Sequence, residues 1–319
     1  MLKLVLIYLS QAQWARNLVQ NWGFAKRTAA RFVAGEELDD AVAAVRELRQ
    51  RGICTTLDHL GENVTSPENA REAADEIIQI IDRLSRDGIC SGISIKLSQI
   101  GLVVDPGLCE ENLKRIMEKA LQEKVYIRID MEDSTLTQAT LDLFRKVRDA
   151  GYAEFIGIVI QASLYRSEQD VKDLLANNSK IRLCKGAYKE PRDIAFPRKS
   201  DVDQNFDLLT SLMLDKSLEL GSRISDEGGI PPLAGIATHD QKRVEFACNY
   251  AEEIGLDKTG LEFQMLYGIR GDLQTALVQK GYPVRIYVPY GQEWYPYFVR
   301  RLAERPANLW FFLSNLIRR

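Results

Sequence analysis

Val125-Tyr-Ile-Arg-Ile-Asp-Met131 is the stretch on which the fold turns. Val125, Ile127 and Ile129 alternate with Tyr126, Arg128 and Asp130, so the segment reads as a strand with one apolar and one polar face. Helical patterns flank it, Glu110–Glu123 before and Leu136–Ala150 after. The same unit recurs along the chain. Candidate strands are Ile53–His59, Gly92–Ser98, Val125–Met131, Gly157–Ala162, Lys180–Ala187, Leu233–His239, Leu261–Leu266 and Val284–Tyr290. Between them lie helical patterns at Pro67–Arg86, Glu168–Ala176, Gln204–Leu220, Gln241–Ile254 and Asp272–Lys280. Asp39–Arg51 precedes the first strand and Tyr295–Glu304 follows the last. Gly52, Gly88, Gly151, Gly260 and Gly281 punctuate the returns to strand.

Eight β/α alternations point to parallel strands joined by crossover helices, and eight is the number that closes an α/β barrel. The expected fold is a (βα)8 TIM-type barrel, with a helical lead-in over residues 1–38 and the barrel over 39–319. The alternative is an open, doubly wound sheet. Its nucleotide signatures are missing, since neither GxGxxG nor GxxxxGK[ST] occurs. Leu2–Leu9 is too short to span a bilayer, and Gln11, Gln13 and Trp14 follow where a small-residue cleavage site would be needed. Secretion is disfavoured, and Leu4–Phe32 reads as an amphipathic lead-in helix.

Composition narrows the function classes. Among 319 residues, 42 basic against 45 acidic give a net charge of −3, so no global basic field draws the chain to nucleic acid. Five cysteines, odd in number and widely spaced, and two histidines argue against a disulfide framework or structural zinc and for a reducing compartment.

Buried parallel strands ordinarily read as continuous apolar runs, and several of these do not. Ser94, Lys96 and Ser98 share one face, as do Arg182 and Cys184, and Arg285 and Tyr287; Gln161 ends the run Ile158–Ile160. If the apolar faces pack on the helices, the polar ones point into the barrel, many near strand C-termini, where barrel enzymes assemble their sites. Polar layers inside a barrel would account for one Arg–Asp couple. They account poorly for Lys96, Asp130, Gln161, Arg182 and Tyr287 together, because burying so many charges without a ligand costs several kcal/mol each, by order of magnitude. In Arg182-Leu-Cys-Lys-Gly-Ala-Tyr188, Gly186 lets a ligand approach the backbone and Lys185 could meet a phosphate. Arg300 and Arg301, with Glu304 one turn on, suit a carboxylate fork or, more plainly, an exposed helix pair.

Read in order, these segments resemble proline dehydrogenase in its short, monofunctional bacterial form. The likeness rests on Thr56-Leu-Asp-His-Leu-Gly-Glu62, Ile95-Lys-Leu-Ser98, Ile129-Asp-Met-Glu132, Val159-Ile-Gln-Ala162 and Arg182–Tyr188. It continues through Ala237-Thr-His239, Glu262-Phe-Gln-Met-Leu266, Arg285-Ile-Tyr-Val-Pro-Tyr-Gly291 and Tyr297-Phe-Val-Arg-Arg-Leu-Ala-Glu304. The resemblance implies a distorted barrel with noncovalent FAD across the strand C-termini. It puts Arg182 beside the flavin ring, with Asp130, Met131 and Gln161 lining the ring. Lys185, Gly186 and Ala187 would hold the phosphate-bearing portion, and Thr238 and His239 would touch the cofactor from strand six. Arg300 and Arg301 would clamp the proline carboxylate, Tyr287 and Leu266 would pack on the pyrrolidine ring, and Lys96 would lie by both substrate and flavin. Asp130, Arg182, Lys96 and Tyr287 form the implied catalytic set, and Glu62 the gate that pairs with Arg300 in the closed site. Met131 and Pro197 depart from residues found in some longer homologues.

The implied reaction is oxidation of L-proline to Δ1-pyrroline-5-carboxylate by hydride transfer from C5 to the flavin N5, with electrons passed to a quinone. A separate pyrroline-5-carboxylate dehydrogenase would take the product. The expected location is cytoplasmic, with peripheral contact at the inner membrane face through Leu309–Arg319, although packing over the barrel is the plainer use of that segment. Two other readings stand beside this one: a Schiff-base aldolase using Lys96 or Lys185, and a flavin- or amino-acid-binding module without turnover.

Overall fold

The chain is described by a computed structural model, which covers residues 29–61 and 64–304. Eight parallel strands form a closed barrel in sequence order: β1 (Cys54–His59), β2 (Gly92–Ile95), β3 (Ile127–Ile129), β4 (Ile156–Gln161), β5 (Lys180–Cys184), β6 (Ala234–Ala237), β7 (Leu261–Leu266) and β8 (Val284–Tyr290). Closure comes from β8 pairing with β1 in the register Cys54 to Arg285 through His59 to Tyr290. The helices are α1 (Leu38–Gln50), α2 (Pro67–Arg86), α3 (Pro106–Glu123), α4 (Thr137–Val147), α5 (Ser167–Ala176), α6 (Lys199–Glu219), α7 (Gln241–Glu253), α8 (Gly271–Gln279) and α9 (Trp294–Glu304).

Local chemistry explains where helices begin. Ser66 caps α2 by accepting from the Asn69 N–H at 3.2 Å, with Pro67 in the first turn. Asp105 does the same for α3, ahead of Pro106, accepting from the Gly107 and Leu108 N–H groups. Gly52, Gly88 and Gly281 take positive φ after α1, α2 and α8, as their positions predict; Gly260 does not, lying in a short 3-10 turn. The predicted helix Leu136–Ala150 stops at Val147 and widens into a π turn over Arg148–Tyr152. There the Arg148 guanidinium is buried against the Ser179 hydroxyl at 2.9 Å and Gly151 has φ 107°.

The strands carry the main difference from expectation. β7 and β8 match it to the residue, but β2, β3 and β5 leave the ladder early, at Ile95, Ile129 and Cys184. Lys96, Asp130 and Lys185 therefore sit just past the strand ends, at the C-terminal mouth. The outward residues, such as Ile127, Ile129, Ile181, Leu183, Val284 and Ile286, are buried with the inner faces of the helices in one continuous core. A second cluster joins Ala29, Phe32, Val33, Leu60 and Ile269 to Trp294, Tyr295, Tyr297, Phe298 and Val299. Leu60 and Ile269 follow the C-terminal ends of β1 and β7, so α9 is anchored at the mouth.

Inside the barrel, glycine makes room for large polar side chains. A Cβ on Gly157 would overlap the Tyr126 hydroxyl and lie 2.6 Å from Arg128 Nη1 and 2.7 Å from the Lys180 carbonyl oxygen. Arg128 needs that space, since its Nη1 donates to the Ile158 and Lys180 carbonyls at 3.1 and 2.8 Å. Gly157→Ala should therefore destabilise the fold by about 1–3 kcal/mol through overpacking. Gly88→Ala, at φ 60° with nothing within 4 Å, should cost about 1–2 kcal/mol through backbone strain alone. Calorimetry on the two variants and a Gly157→Ala/Tyr126→Phe double variant checks this: partial relief of the Gly157→Ala loss in the double variant, which removes the nearest clashing atom, is the expected result.

Candidate active site

Residues that the sequence pattern places on inward faces meet at the mouth. Asp130, the first residue past β3, is the hub: Arg182 Nη1 donates to its Oδ1 at 3.0 Å and the Tyr287 hydroxyl donates to its Oδ2 at 2.8 Å. Arg182 Nη1 also donates to Ser94 Oγ at 3.1 Å, and its Nε donates to Gln264 Oε1. The Arg182 guanidinium lies 5.4 Å from the centre of the Tyr287 ring, within cation–π reach. Burial and the neighbouring Asp130 and Asp58 carboxylates push the Tyr287 phenol well above its ordinary pKa. It stays a protonated donor at neutral pH. Lys96 Nζ donates to the buried Asp58 at 3.1 Å. The Asp130 N–H donates to the Ile95 carbonyl at 2.8 Å, which ties the Lys96 and Asp130 turns together.

These contacts revise one part of the sequence reading. Lys96, Asp130 and Arg182 do not rely on a ligand to offset their burial, because Asp58, Ser94, Gln264 and Tyr287 already pair with them. The missed partners have a visible signal. Asp58 and Ser94 lie on the inward parity of β1 and β2, and Gln264 on that of β7, inside segments quoted above.

On one side of this hub, Gln161 is buried and its Nε2 donates to the Glu132 carbonyl at 2.8 Å; Glu132 accepts from the Ser98 N–H at 3.0 Å. Met131, between Asp130 and Glu132 in sequence, is buried. Gly186 and Ala187 are exposed, and Gly186 has φ 106°, with a would-be Cβ running into Ser163 Oγ. Only glycine fits there, and it leaves bare backbone facing outward. On the other side, Thr238 Oγ1 accepts from the Asp240 N–H at 3.1 Å, and His239 Nε2 accepts from the Leu266 N–H at 3.0 Å. Leu266 and Tyr287 are register neighbours, and Leu266 packs against the α9 cluster. Arg301 lies 5.1 Å from the centre of the Tyr297 ring. Glu62 and the Arg300 side chain lie outside the described residues.

Lys185 is the cation most changed by the fold. Its Nζ donates to Asp203, in the second turn of α6, and, at 2.6 Å, to Asp240, the cap of α7. An ammonium has three N–H donors, so the two aspartates leave one for a ligand. Burial alone would raise the Asp240 carboxyl, but Lys185, with the Lys242 N–H and Lys199 adding to it, outweighs burial and holds the pKa at about 2.

Three comparisons bear on this site. The proline dehydrogenase family model matches residues 41–313. The chain is 39% identical over 313 residues to proline dehydrogenase 2 of Bacillus subtilis (strain 168), covering 98% of both. It is 40% identical over 293 residues to proline dehydrogenase of Deinococcus radiodurans, covering 91% of this chain and 90% of that one. Its barrel superimposes on a crystal structure of proline utilization A (PutA) from Bdellovibrio bacteriovorus inactivated by N-propargylglycine, with a TM-score of 0.80 at 24% identity, over 91% of this chain and 34% of that one. For PutA from Corynebacterium freiburgense the TM-score is 0.74 at 23% identity, over 97% and 33%. At those identities the superpositions speak for the fold.

Lys185→Met should release Asp240 toward its ordinary pKa. A carboxyl depressed in the folded state adds stability above its unfolded pKa and loses it as pH falls through the folded value. Wild type should exceed the variant by roughly 2 kcal/mol near neutrality in urea unfolding. That gap should close between about pH 4 and pH 2. A gap independent of pH would assign the loss to packing.

Proposed function

The chain belongs to the proline dehydrogenase family, and from that premise we propose how its barrel mouth serves the reaction. The activity is oxidation of L-proline by a flavoprotein oxidoreductase acting on the CH–NH group. Two electrons and two protons leave the substrate, and the ring nitrogen and C5 become a C=N bond. The observation that carries the reading is the Asp130–Arg182–Tyr287 constellation, a cation, a carboxylate and a protonated phenol held rigidly where barrel strands end.

The residues fit a flavin. The exposed Gly186–Ala187 backbone offers close approach without a side chain, Gln161 supplies a fixed carboxamide, and Arg182 supplies a cation for a ring that gains negative charge on reduction. In our reading the cofactor is FAD, held by Met131, Gln161, Arg182, Lys185, Gly186, Ala187, Thr238 and His239. When bound, it supplies the acceptor for the hydride that leaves C5. Everything else falls to the chain's own groups. Arg300 and Arg301 bind the substrate carboxylate, and with it fixed the ring has one orientation. Tyr287 and Leu266 form the wall against the ring, and Lys96, anchored by Asp58, stands at its edge. The closure of α9 against Phe32 and Leu60 excludes water from this space. Glu62 pairs with Arg300 when the site is shut.

Electrons then pass to a quinone, and a separate pyrroline-5-carboxylate dehydrogenase consumes the product. Among the described residues no helix is long and apolar enough to cross a membrane. We place the protein in the cytoplasm, with Leu309–Arg319, outside the described residues, as the segment for peripheral contact at the inner membrane face. The aldolase reading loses ground because both lysine nitrogens are held by carboxylates, Lys96 by Asp58 and Lys185 by Asp203 and Asp240, rather than presented to a carbonyl carbon.

Purified protein should be yellow, bleach anaerobically with L-proline, and release FAD on denaturation as identified by mass. FMN, or no flavin, would defeat the cofactor assignment. Arg301→Met should weaken proline binding by about 2–5 kcal/mol, the cost of truncating one member of a desolvated charge pair. Flavin content should be unchanged, and pyrrolidine, which lacks the carboxylate, should bind alike to both proteins. Normal proline binding in the variant would leave Arg301 a structural residue.

A further inference from the structure

Two residues of β7, Glu262 and Gln264, face the barrel interior and are buried; Gln264 has entered so far only as a partner of Arg182, and Glu262 not at all. A carboxamide can present oxygen or nitrogen to either neighbour with almost no change in shape, so its partners decide which way it faces. Here the choice is forced. The Arg182 Nε group can only donate and a carboxylate can only accept. Gln264 bridges them: its Oε1 accepts from Arg182 Nε, and its Nε2 donates to Glu262 Oε1 at 2.6 Å. Turned over, it would set donor against donor at one end and acceptor against acceptor at the other.

The Glu262 end is itself fixed. Arg285 Nε donates to the same Glu262 oxygen at 2.8 Å, while its Nη1 and Nη2 donate to the Thr55 and Gly228 carbonyls at 2.8 and 2.7 Å. That pairing offsets the carboxylate charge in an interior that water does not reach. Gly235 on β6 leaves the space the bridge occupies, since a Cβ there would lie 2.8 Å from Gln264 Nε2.

We propose that Glu262 is a positioning residue for Arg182, acting through the Gln264 carboxamide whose orientation it fixes. The proposal rests on the reading of Arg182 as the cation beside the flavin ring. Arg182 Nη1 is shared between Ser94 and Asp130, so those contacts hold one corner of the guanidinium and let the plane pivot. The Nε contact supplies the second point that stops the pivot. Losing it leaves the charge in place and blurs its direction, which lowers the rate of reduction more than substrate affinity.

Gln264→Met cuts the bridge while leaving the Glu262–Arg285 pair whole; Glu262→Gln removes the charge that orients the bridge. Each should slow anaerobic bleaching by proline roughly tenfold in single-turnover experiments, while the proline Kd from spectral titration changes less than about twofold. In an Arg182→Met background, Gln264→Met should add no further loss. Losses that multiply would overturn the proposal. A second measurement needs no flavin: in protein stripped of cofactor, the Arg182 Nε–H NMR signal, assigned by its disappearance in Arg182→Met, should move and lose exchange protection in Gln264→Met. An unmoved signal would overturn the proposal even if Glu262→Gln failed to fold. If Arg182→Met itself bleached at the wild-type rate, the placement of Arg182 beside the flavin would fall, and the Nε–H signal would still decide the positioning.

Discussion

Charge inside a closed barrel is costly unless a counter-ion and hydrogen bonds offset it. Arg182 meets that condition through Asp130, Ser94 and Gln264, and the rest of the mouth is arranged around it. Removing Asp130 would take the counter-ion from Arg182 and the acceptor from the Tyr287 hydroxyl. Removing Gln264 would disconnect Arg182 from the Glu262–Arg285 pair below. The interior is thus a continuous polar ladder from the Gly228 carbonyl, held by Arg285, up to the Tyr287 hydroxyl at the mouth. Its upper rungs lie at the barrel mouth, and its lower rungs join them to Glu262 and Arg285 in the interior.

Two devices make room for that ladder. Glycine at Gly157 and Gly235 removes the side chains that would compete with Arg128 and Gln264 for interior volume. The early release of β2, β3 and β5 from the sheet lets Lys96, Asp130 and Lys185 turn toward the mouth. The glycines keep their regular places in the sheet, whereas the early strand ends give up its regularity at the mouth. The apolar side of the bargain is local and ordinary: the outward isoleucines and leucines pack on helices whose starts are set by Ser66, Asp105 and Asp240.

Much of this was legible in order along the chain. The alternation of strand and helix patterns announced parallel strands, their number announced closure, and the inward parity singled out Asp130, Arg182 and Tyr287. Strand ends were harder to read, because Lys96 and Lys185 continue the alternating pattern after the ladder has stopped. The family resemblance picked out the mouth residues, and the family match over residues 41–313 bears the family out. It did not show that Lys185 is held between two aspartates, or that Asp58 and Gln264 neutralise what looked like unpaid charge.

The sequence by itself determined the element types, the faces they bury and the count of strands, because side-chain periodicity of two or 3.6 is a property of neighbours along the chain. The tertiary structure alone decided the partners. Lys96 meets Asp58 across 38 residues, Arg182 meets Gln264 across 82, and Tyr287 meets Asp130 across 157. No local pattern encodes those pairings. They arise when β8 closes on β1, which sets the heights at which inward side chains from different strands face one another.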